Sequence, residues 1–441
     1  MRALVLLLLS CLAAAALWSA LVVIGSIQGW GRQQIAPAGD ARAFMAAAIE
    51  YIKRNHQGNV AFALIEDGRL YDEYFASAGN RVDGNTRFQV ASLSKWVSAW
   101  GVLTLVEAGK LELDAPVATY LTRWQLPDSD HDNKGVTVRR LLSHTAGLTD
   151  GLGYAGFAPG TEPQTLEASL THAADASPGA DGRVWVGVAP GTQWEYSGGG
   201  YTLLQLLIEE VSGVSFESYM QGAVLQPLGM SRSTYRLTEN EADNLADFYD
   251  VDSTPATHYQ FTSLAATSLY TTTSDLRRFL QAHLAGADST PPGSGVLKPA
   301  TIELMRQAHA SKMGADIWGL GVMLFAPNNQ DDFIIGHDGS NEPAINTAAR
   351  LDPSTGDGIV VLETGNPLLA TRLAGEWVFW HTGNLDFLMV TMNARRMVAL
   401  VVGGWIAILL VAIVAGWRMR RARRNRRRSV DPSGPSANAA C

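Results

Sequence analysis

Cysteine is almost absent from this sequence. Its 441 residues include two cysteines, Cys11 and Cys441, which lie near the two ends. The long segment between them therefore offers no disulfide, no cysteine-based metal site and no thiol nucleophile. Its nine histidines include no H-E-x-x-H pattern, so we expect no zinc site and no other bound metal.

Charge is missing from two long runs. Residues 397–417 hold no charged side chain, and as a helix they would span roughly 31 Å, about the thickness of a bilayer's hydrocarbon. Eight arginines follow within residues 418–428. Because short cationic flanks stay in the cytoplasm, we expect a transmembrane helix at 397–417 and an Arg-rich cytoplasmic tail at 418–441.

The other uncharged run is residues 3–27 near the N-terminus, and the one charged side chain before it is Arg2. Signal h-regions usually extend for about 7–15 residues before a small-residue cleavage site, and no clear A-x-A ends this longer run. We assign residues 1–28 to an N-terminal membrane anchor, with a cleaved signal segment as the alternative. An anchor would leave both termini in the cytoplasm, and the domain between them at the cell membrane's outer side.

The overall net charge of −8 hides an uneven distribution. Outside the terminal segments, residues 28–394 contain 23 basic and 41 acidic residues, a net charge of −18. So acidic a domain is a poor candidate for binding nucleic acid, and we expect no nucleic-acid partner. The arginine tail is better suited to contact anionic membrane lipid.

The pattern between the membrane segments predicts an α+β fold. Residues 40–54 resemble a capped amphipathic helix, and an Asp67-Gly68 turn joins two strand-like runs after it. Four further strand-like runs lie near the other end, at 319–326, 332–339, 344–351 and 358–365. Residues 92–310 read mainly as helix and loop. We therefore predict one antiparallel sheet built from both ends of a domain at 29–390, flanked by helices and carrying an inserted helical lobe.

The stretch "FQVASLSKWVSAW", residues 88–100, places a lysine among apolar side chains three residues after a serine. On a helix, Ser92 and Lys95 would share a face. Burial lowers the pKa of a lysine, and a neutral amine beside a hydroxyl is a base for a nucleophile. The alternative is a surface lysine whose charged end reaches water. Only this lysine, among the chain's six, has a serine three residues before it.

Two glycine-rich stretches have different meanings. In "WEYSGGGYTLLQLL", Tyr196 precedes three glycines, where a backbone can approach a neighbour closely. If cationic neighbours lowered its pKa, Tyr196 could exchange a proton with a nearby serine; otherwise it is a loop tyrosine packing on the helical lobe. The stretch "GLGYAG", 151–156, matches G-x-G-x-x-G, but no strand precedes it, so we expect no dinucleotide cofactor.

A third polar stretch is "IIGHDGSNEP", residues 334–343. It predicts a strand that ends in His337, Asp338, Gly339 and Ser340, with a free backbone N–H at a sheet edge. A lone histidine in such a place is more often structural than catalytic. No serine lies in a G-x-S-x-G pattern, so an α/β-hydrolase nucleophile is not expected.

The order S-x-x-K, Y-S-x and H-x-G resembles the serine β-lactamase and penicillin-binding-protein superfamily, in the branch of class C β-lactamases, D,D-peptidases and esterases. Residues 40–385 carry the resemblance, which extends to other stretches in the expected order. These are "TVRRLLSHTAGL" (137–148), "SGVSFESYMQGAVLQPLGM" (212–230), "SLYTTTSDLRRFL" (268–280) and "WGLGV" (318–322). The resemblance implies a β-lactamase/transpeptidase-like fold and a serine hydrolase that needs no metal or organic cofactor.

The resemblance also implies a role for each site residue. Ser92 would carry the acyl group, while Lys95 and Tyr196 would activate it and protonate the leaving group in an unresolved division. The backbone N–H groups of Ser92 and Ser340 would form the oxyanion hole, next to Gly339. His337 would stand where lysine is common, near a substrate carboxylate or Tyr196.

Two departures from the family pattern bear on the substrate. Gly198 replaces the asparagine of Y-S-N, and His337 replaces the lysine typical of strong β-lactamases. Both disfavour efficient β-lactam hydrolysis and leave the nucleophile intact. We therefore expect a membrane-anchored extracytoplasmic hydrolase of a small ester or a cell-wall peptide. The alternatives are a penicillin-binding sensor or scaffold with little turnover, and a true β-lactamase.

Overall fold

The computed structural model describes residues 2–151, 153–237, 244–286 and 288–429. The chain divides into two compact units: Gln33–Leu388, and a terminal unit made of Met1–Arg32 with Met389–Cys441. The predicted cytoplasmic tail lies within the described residues only as far as residue 429.

The helices and strands follow in chain order. The helices are α1 (Arg2–Ile27), α2 (Ala41–Asn55), α3 (Ser94–Glu107), α4 (Val138–Leu142), α5 (Leu166–Thr171), α6 (Gly198–Ser212), α7 (Phe216–Met220), α8 (Leu264–Thr267), α9 (Thr273–Gln281), α10 (Pro299–Arg306), α11 (Leu369–Thr382), α12 (Phe387–Met392) and α13 (Ala394–Ser429). The strands are β1 (Val60–Glu66), β2 (Arg69–Ala76), β3 (Phe88–Gln89), β4 (Tyr270–Thr271), β5 (Ala310–Lys312), β6 (Ala315–Trp318), β7 (Met323–Pro327), β8 (Phe333–Asn341), β9 (Ile345–Leu351) and β10 (Gly358–Thr364).

The large sheet is antiparallel and joins the two ends of the domain, as the sequence predicts. Its strand order is β2-β1-β10-β9-β8-β7-β6-β5. The first and last runs meet where Val60 pairs with Glu363 and Ile65 pairs with Gly358. Strands β3 and β4 form a separate two-stranded sheet, which holds the chain just before Ser92.

The sheet separates two hydrophobic cores, because successive side chains of a strand point to opposite faces. On β10, Val360 and Leu362 face the core shared with the helical lobe, which includes Trp96 and Trp100 of α3. Val361 faces the other core, with side chains from α2 and α11. Helices therefore cover both faces of the central strands, and α3 packs directly under the sheet.

Three boundaries differ from the sequence prediction. The strand-like run at 319–326 is a strand only from Met323, since a turn at Gly319 and Gly321 comes first. The hairpin of β5 and β6 was not predicted, because its strands are three and four residues long, too short for a period-2 pattern. Strand β8 continues through Asn341, so the H-x-G motif lies within the strand and not at its end.

In the terminal unit, α1 and α13 are long apolar helices that lie against each other. The indole of Trp18 donates to the Leu400 carbonyl at 3.0 Å, and that of Trp405 donates to Ser19 Oγ at 2.9 Å. Within them, Val5–Ile27 and Ala394–Ala422 are long and apolar enough to cross a membrane. Their length and composition suggest that the protein associates with a membrane.

Candidate active site

Ser92 and Lys95 are brought together at the start of α3. Ser92 lies in a single 3₁₀ turn, Ala91–Leu93, and Lys95 is the second residue of α3. The residue before the serine, Ala91, has a φ of 46°, a strained conformation for a side chain with a Cβ. In this arrangement Lys95 Nζ lies 3.1 Å from Ser92 Oγ. Ser92 is partly exposed, so its hydroxyl can be reached from solvent.

Lys95 is buried, with 1% of its surface exposed. Its amine donates to the carbonyl oxygen of Ala266 at 2.9 Å. Desolvation lowers the pKa of Lys95 to about 7, and the negative charge of Asp150 opposes part of that shift. Near neutral pH, a large fraction of the molecules therefore carries an uncharged amine next to the Ser92 hydroxyl.

Tyr196 reaches the same hydroxyl from the other side of the site. Its side chain hydrogen-bonds Ser92, and its ring centre lies 5.1 Å from Lys95 Nζ. The sequence interpretation of a tyrosine with a lowered pKa is wrong, because burial raises the pKa of Tyr196. The hydrogen bond with Ser92 opposes part of that shift, and the negative charge of Asp338 adds to it. Tyr196 is therefore a neutral phenol at physiological pH.

His144 and Asp150 hold the tyrosine loop, and the sequence reasoning did not identify Asp150. The backbone N–H of Ser197 donates to His144 Nδ1 at 3.1 Å, and Ser197 Oγ donates to Asp150 Oδ2 at 2.6 Å. The His144 ring packs 4.4 Å from the Tyr196 ring, centre to centre. His144 thus supports the loop. In the sequence, Asp150 lies two residues after the end of "SHTAGL".

The three glycines after Ser197 form the first turn of α6, where a loop was predicted before the helix. Ser197 is the N-cap residue, and its Oγ accepts from the Gly200 N–H at 2.7 Å. A Cβ on Gly199 would lie 2.3 Å from Asp150 Oδ2 and 2.5 Å from a methyl of Val184. The missing side chain therefore allows the helix to begin against Asp150. Gly198, the first residue of α6, is also buried.

His337 is neutral at physiological pH, because burial lowers its pKa to about 3. Only 1% of the residue is exposed, and its Nδ1–H donates to the Asp338 carbonyl at 2.6 Å. Its ring meets the edge of Trp318 at 5.4 Å, centre to centre. A neutral, enclosed imidazole cannot supply the positive charge that lysine provides at this position, so a substrate carboxylate would need another partner.

Gly339 and Ser340 bring the open edge of β8 to the nucleophile. The pairing of β7 with β8 ends at Gly336, so residues 337–341 have no β7 partner. A Cβ on Gly339 would lie 2.0 Å from the Val90 carbonyl oxygen, which shows how closely β8 passes the segment before Ser92. The Thr347 hydroxyl fixes that carbonyl at 2.8 Å. Ser340 is exposed and directly follows Gly339, where β8 passes close to the segment before Ser92.

The geometry suits nucleophilic acyl transfer. A reachable hydroxyl contacts a lysine that titrates near neutrality and a tyrosine that keeps its proton, while a strand edge lies beside them. Within the part of the chain that the structure describes, no group of His, Cys, Asp and Glu side chains could hold a metal ion.

Comparison with known proteins gives one family and several relatives. The family model described as Beta-lactamase matches residues 41–384. Penicillin-binding protein 4 of Amycolatopsis lactamdurans is 27% identical over 331 residues, which cover 70% of this chain and 82% of that protein. Penicillin-binding protein 4* of Bacillus subtilis is 30% identical over 219 residues, covering 48% of this chain and 46% of the relative, so this chain spans less than half of it.

A solved structure shares the fold. The octameric penicillin-binding protein homologue from Pyrococcus abyssi superposes with a TM-score of 0.64 at 26% identity, and the match covers 78% of each chain.

Proposed function

Since the chain belongs to the beta-lactamase family, we propose that it is an extracytoplasmic serine hydrolase that cleaves an ester or amide through an acyl-enzyme. The observation that carries the proposal is the 3.1 Å contact between Ser92 Oγ and a buried Lys95 whose pKa is about 7. A hydroxyl of ordinary pKa needs such a base to become a nucleophile near neutral pH.

In the proposed first step, Ser92 Oγ attacks the substrate carbonyl and its proton passes to neutral Lys95. In its neutral form the amine has a lone pair that can accept the Ser92 proton, while one of its N–H groups donates to the Ala266 carbonyl. Tyr196 hydrogen-bonds the same Oγ and keeps its own proton. We therefore assign the general base to Lys95. Tyr196 gives its phenolic proton to the leaving group and takes up the proton that Lys95 removed from Ser92, so the amine is neutral again before water attacks.

The tetrahedral intermediate places a negative oxygen in the opening between α3 and β8. We assign its stabilisation to the backbone N–H groups of Ser92 and Ser340. One donor of this kind typically contributes about 3–4 kcal/mol to related reactions. Water then cleaves the ester bond to Ser92, with Lys95 again as the base, and releases the acid product.

The substrate class follows from two features of the site. Gly198 offers no side-chain amide to align an acyl-amide group, and His337 is neutral and cannot attract a carboxylate. A missing neutral hydrogen bond typically costs about 0.5–1.5 kcal/mol. Esters are intrinsically easier to cleave than amides and depend less on this alignment. We therefore propose short-chain esters ahead of amides, which include both cell-wall D-peptides and β-lactams.

This ranking predicts measurable turnover of p-nitrophenyl acetate or butyrate, slower release of D-alanine from D-alanyl peptides, and slow or absent hydrolysis of a chromogenic cephalosporin. The measurement is kcat/KM for the three substrates with the same preparation. Gly198→Asn is the matched variant, and it should move the ratio towards amides. A cephalosporin kcat/KM above that for the esters would contradict the ranking and favour a true β-lactamase.

We also propose that the catalytic unit faces the outside of the cell membrane and that the arginine tail faces the cytoplasm. The support is the eight arginines within residues 418–428, directly after the apolar stretch of α13.

A reporter fused after residue 441 tests this orientation. A fluorescent protein that folds only in the cytoplasm should be active there, while an alkaline phosphatase fusion at the same place should be inactive. A variant with the eight arginines changed to glutamine is the control, and its orientation should become mixed. An active phosphatase fusion on the unaltered chain would show that the orientation is the reverse.

A further inference from the structure

A second cavity of roughly 470 Å³ lies in the helical lobe. Ser92, Lys95, Tyr196 and His337 do not line it. Its wall combines two tryptophans with five polar side chains, namely Trp124, Trp185, Gln125, Asp128, Thr171, Asp181 and Arg183. A cavity that pairs aromatic faces with several polar groups has the composition of a ligand site.

Trp185 is directed outward by an extended segment whose alternate residues are buried. Val184 and Val186 are 1% and 0% exposed, whereas Arg183 and Trp185 point outward, and 38% of the Trp185 surface is exposed. A single exposed tryptophan is common on protein surfaces. Here, however, the exposed indole borders a cavity that a second indole also lines.

Trp124 is held in place before any ligand arrives. Its indole N–H donates to Thr171 Oγ1 at 3.1 Å. The preceding residue, Arg123, donates its backbone N–H to Glu210 at 2.7 Å, and its guanidinium lies 2.7 Å from Glu209. A ring that is fixed in advance loses little conformational entropy when a ligand stacks on it.

Two charged side chains of the wall, Arg183 and Asp128, are available to a ligand, whereas the Gln125 amide already donates to the Leu121 carbonyl at 2.6 Å. Arg183 and Asp128 are exposed, and among the described residues neither side chain has an ion pair. Asp181 accepts one hydrogen bond, from the Arg183 backbone at 2.9 Å. Two carboxylates disfavour a strongly anionic ligand, and the charged rim disfavours a purely apolar one.

We propose that this cavity binds a carbohydrate. A sugar ring has apolar C–H faces that can pack on Trp124 and Trp185, and hydroxyl edges that can hydrogen-bond carboxylate, guanidinium and amide groups. The inference goes beyond the hydrolase proposal and does not depend on it, since no residue of the cavity wall takes part in the acyl transfer. Val184 lines the cavity and also lies beside Gly199, in the first turn of α6.

The test uses the full chain in detergent micelles and the trimer of N-acetylglucosamine as the probe. Titration should give saturable binding by calorimetry, with a change in tryptophan fluorescence. Trp185→Ala should weaken binding by about tenfold or more, since an aromatic anchor carries a large share of such an interface. Tyr71→Ala is the matched control, because Tyr71 is equally exposed, at 39%, on β2 and should bind like the unaltered protein.

Three results separate the possibilities. Ser92→Ala should bind the trimer as well as the unaltered chain, so a failed hydrolase proposal would leave this one standing. Absence of saturable binding, or binding that Trp185→Ala leaves unchanged, would overturn the carbohydrate site. Binding that Arg183→Gln abolishes, that disappears in high salt and that ignores Trp185→Ala would identify an anion site and would also overturn it.

Discussion

Ser92→Ala is expected to abolish covalent labelling by a fluorophosphonate or penicillin probe and to lower ester hydrolysis by about 10⁴-fold or more. The effect is large because Ser92 Oγ itself forms the bond to the acyl group. Neither Lys95 nor Tyr196 can replace it as the nucleophile. Intact-protein mass spectrometry after exposure to the probe measures the first effect, and initial rates with p-nitrophenyl butyrate measure the second.

The variant should fold normally, so the loss can be attributed to chemistry. Ser92 is partly exposed, and without its hydroxyl Lys95 still donates to the Ala266 carbonyl. Surface changes of this kind usually alter stability by less than about 0.5 kcal/mol. Ser218→Ala on α7 is the matched control, because that serine is exposed and distant in the sequence from every site motif. A label that persists in Ser92→Ala, or that maps to the peptide containing Ser340, would show that the nucleophile is a different residue.

The fold could be predicted largely from local sequence patterns. The Asp67-Gly68 turn and the alternating runs around it specify a hairpin, and the last three strand-like runs are joined by short turns that favour antiparallel neighbours. The β5–β6 hairpin escaped notice because Ala310–Lys312 and Ala315–Trp318 are too short to show a period.

The residues of the candidate site could be predicted from the sequence, but the directions of their pKa shifts could not all be predicted. The spacing of Ser92 and Lys95 indicates contact, and Lys95 has the lowered pKa that its apolar neighbours predict. The pKa directions of Tyr196 and His337 depend on how completely each ring is enclosed. That enclosure comes from Trp318 and His144, which are remote in the sequence. Asp150 was missed for the same reason, since only folding places it against Ser197.

The lysine, not a histidine, should set the pH dependence of acylation. The pKa of Lys95 is lowered to about 7, so the fraction with a free amine rises with pH up to that value and then levels off. The second-order rate constant of acylation should therefore increase about tenfold per pH unit below pH 7 and become constant above it. His144 and His337 cannot produce this limb, because burial holds the pKa of each well below 6.5. Stopped-flow acylation by a p-nitrophenyl ester between pH 5 and pH 9 measures it.

Replacement of Lys95 distinguishes a base from a mere positive charge. Lys95→Arg keeps a positive charge but cannot lose its proton, and Lys95→Met keeps much of the apolar stem without any amine. Both variants should lower the rate of acylation by about 10²–10⁴-fold, which is the usual contribution of a general base. Lys53→Arg, at an exposed position on α2, is the control for the substitution itself.

Asp150→Asn removes the negative charge that opposes the desolvation of Lys95. The midpoint of the pH dependence should therefore fall below pH 7, while the asparagine keeps a hydrogen-bond acceptor for Ser197. Two results would mean that Ser92 is activated by another group. One is a rate of acylation in Lys95→Arg within a few-fold of the unaltered chain. The other is a pH dependence with its midpoint near pH 4–5, which would indicate a carboxylate. A pH dependence with a midpoint near pH 7 that shifts in Asp150→Asn and disappears in Lys95→Met would leave the buried amine as the base. Among the described residues, the other titratable group that contacts Ser92 Oγ is Tyr196, whose pKa is raised by burial.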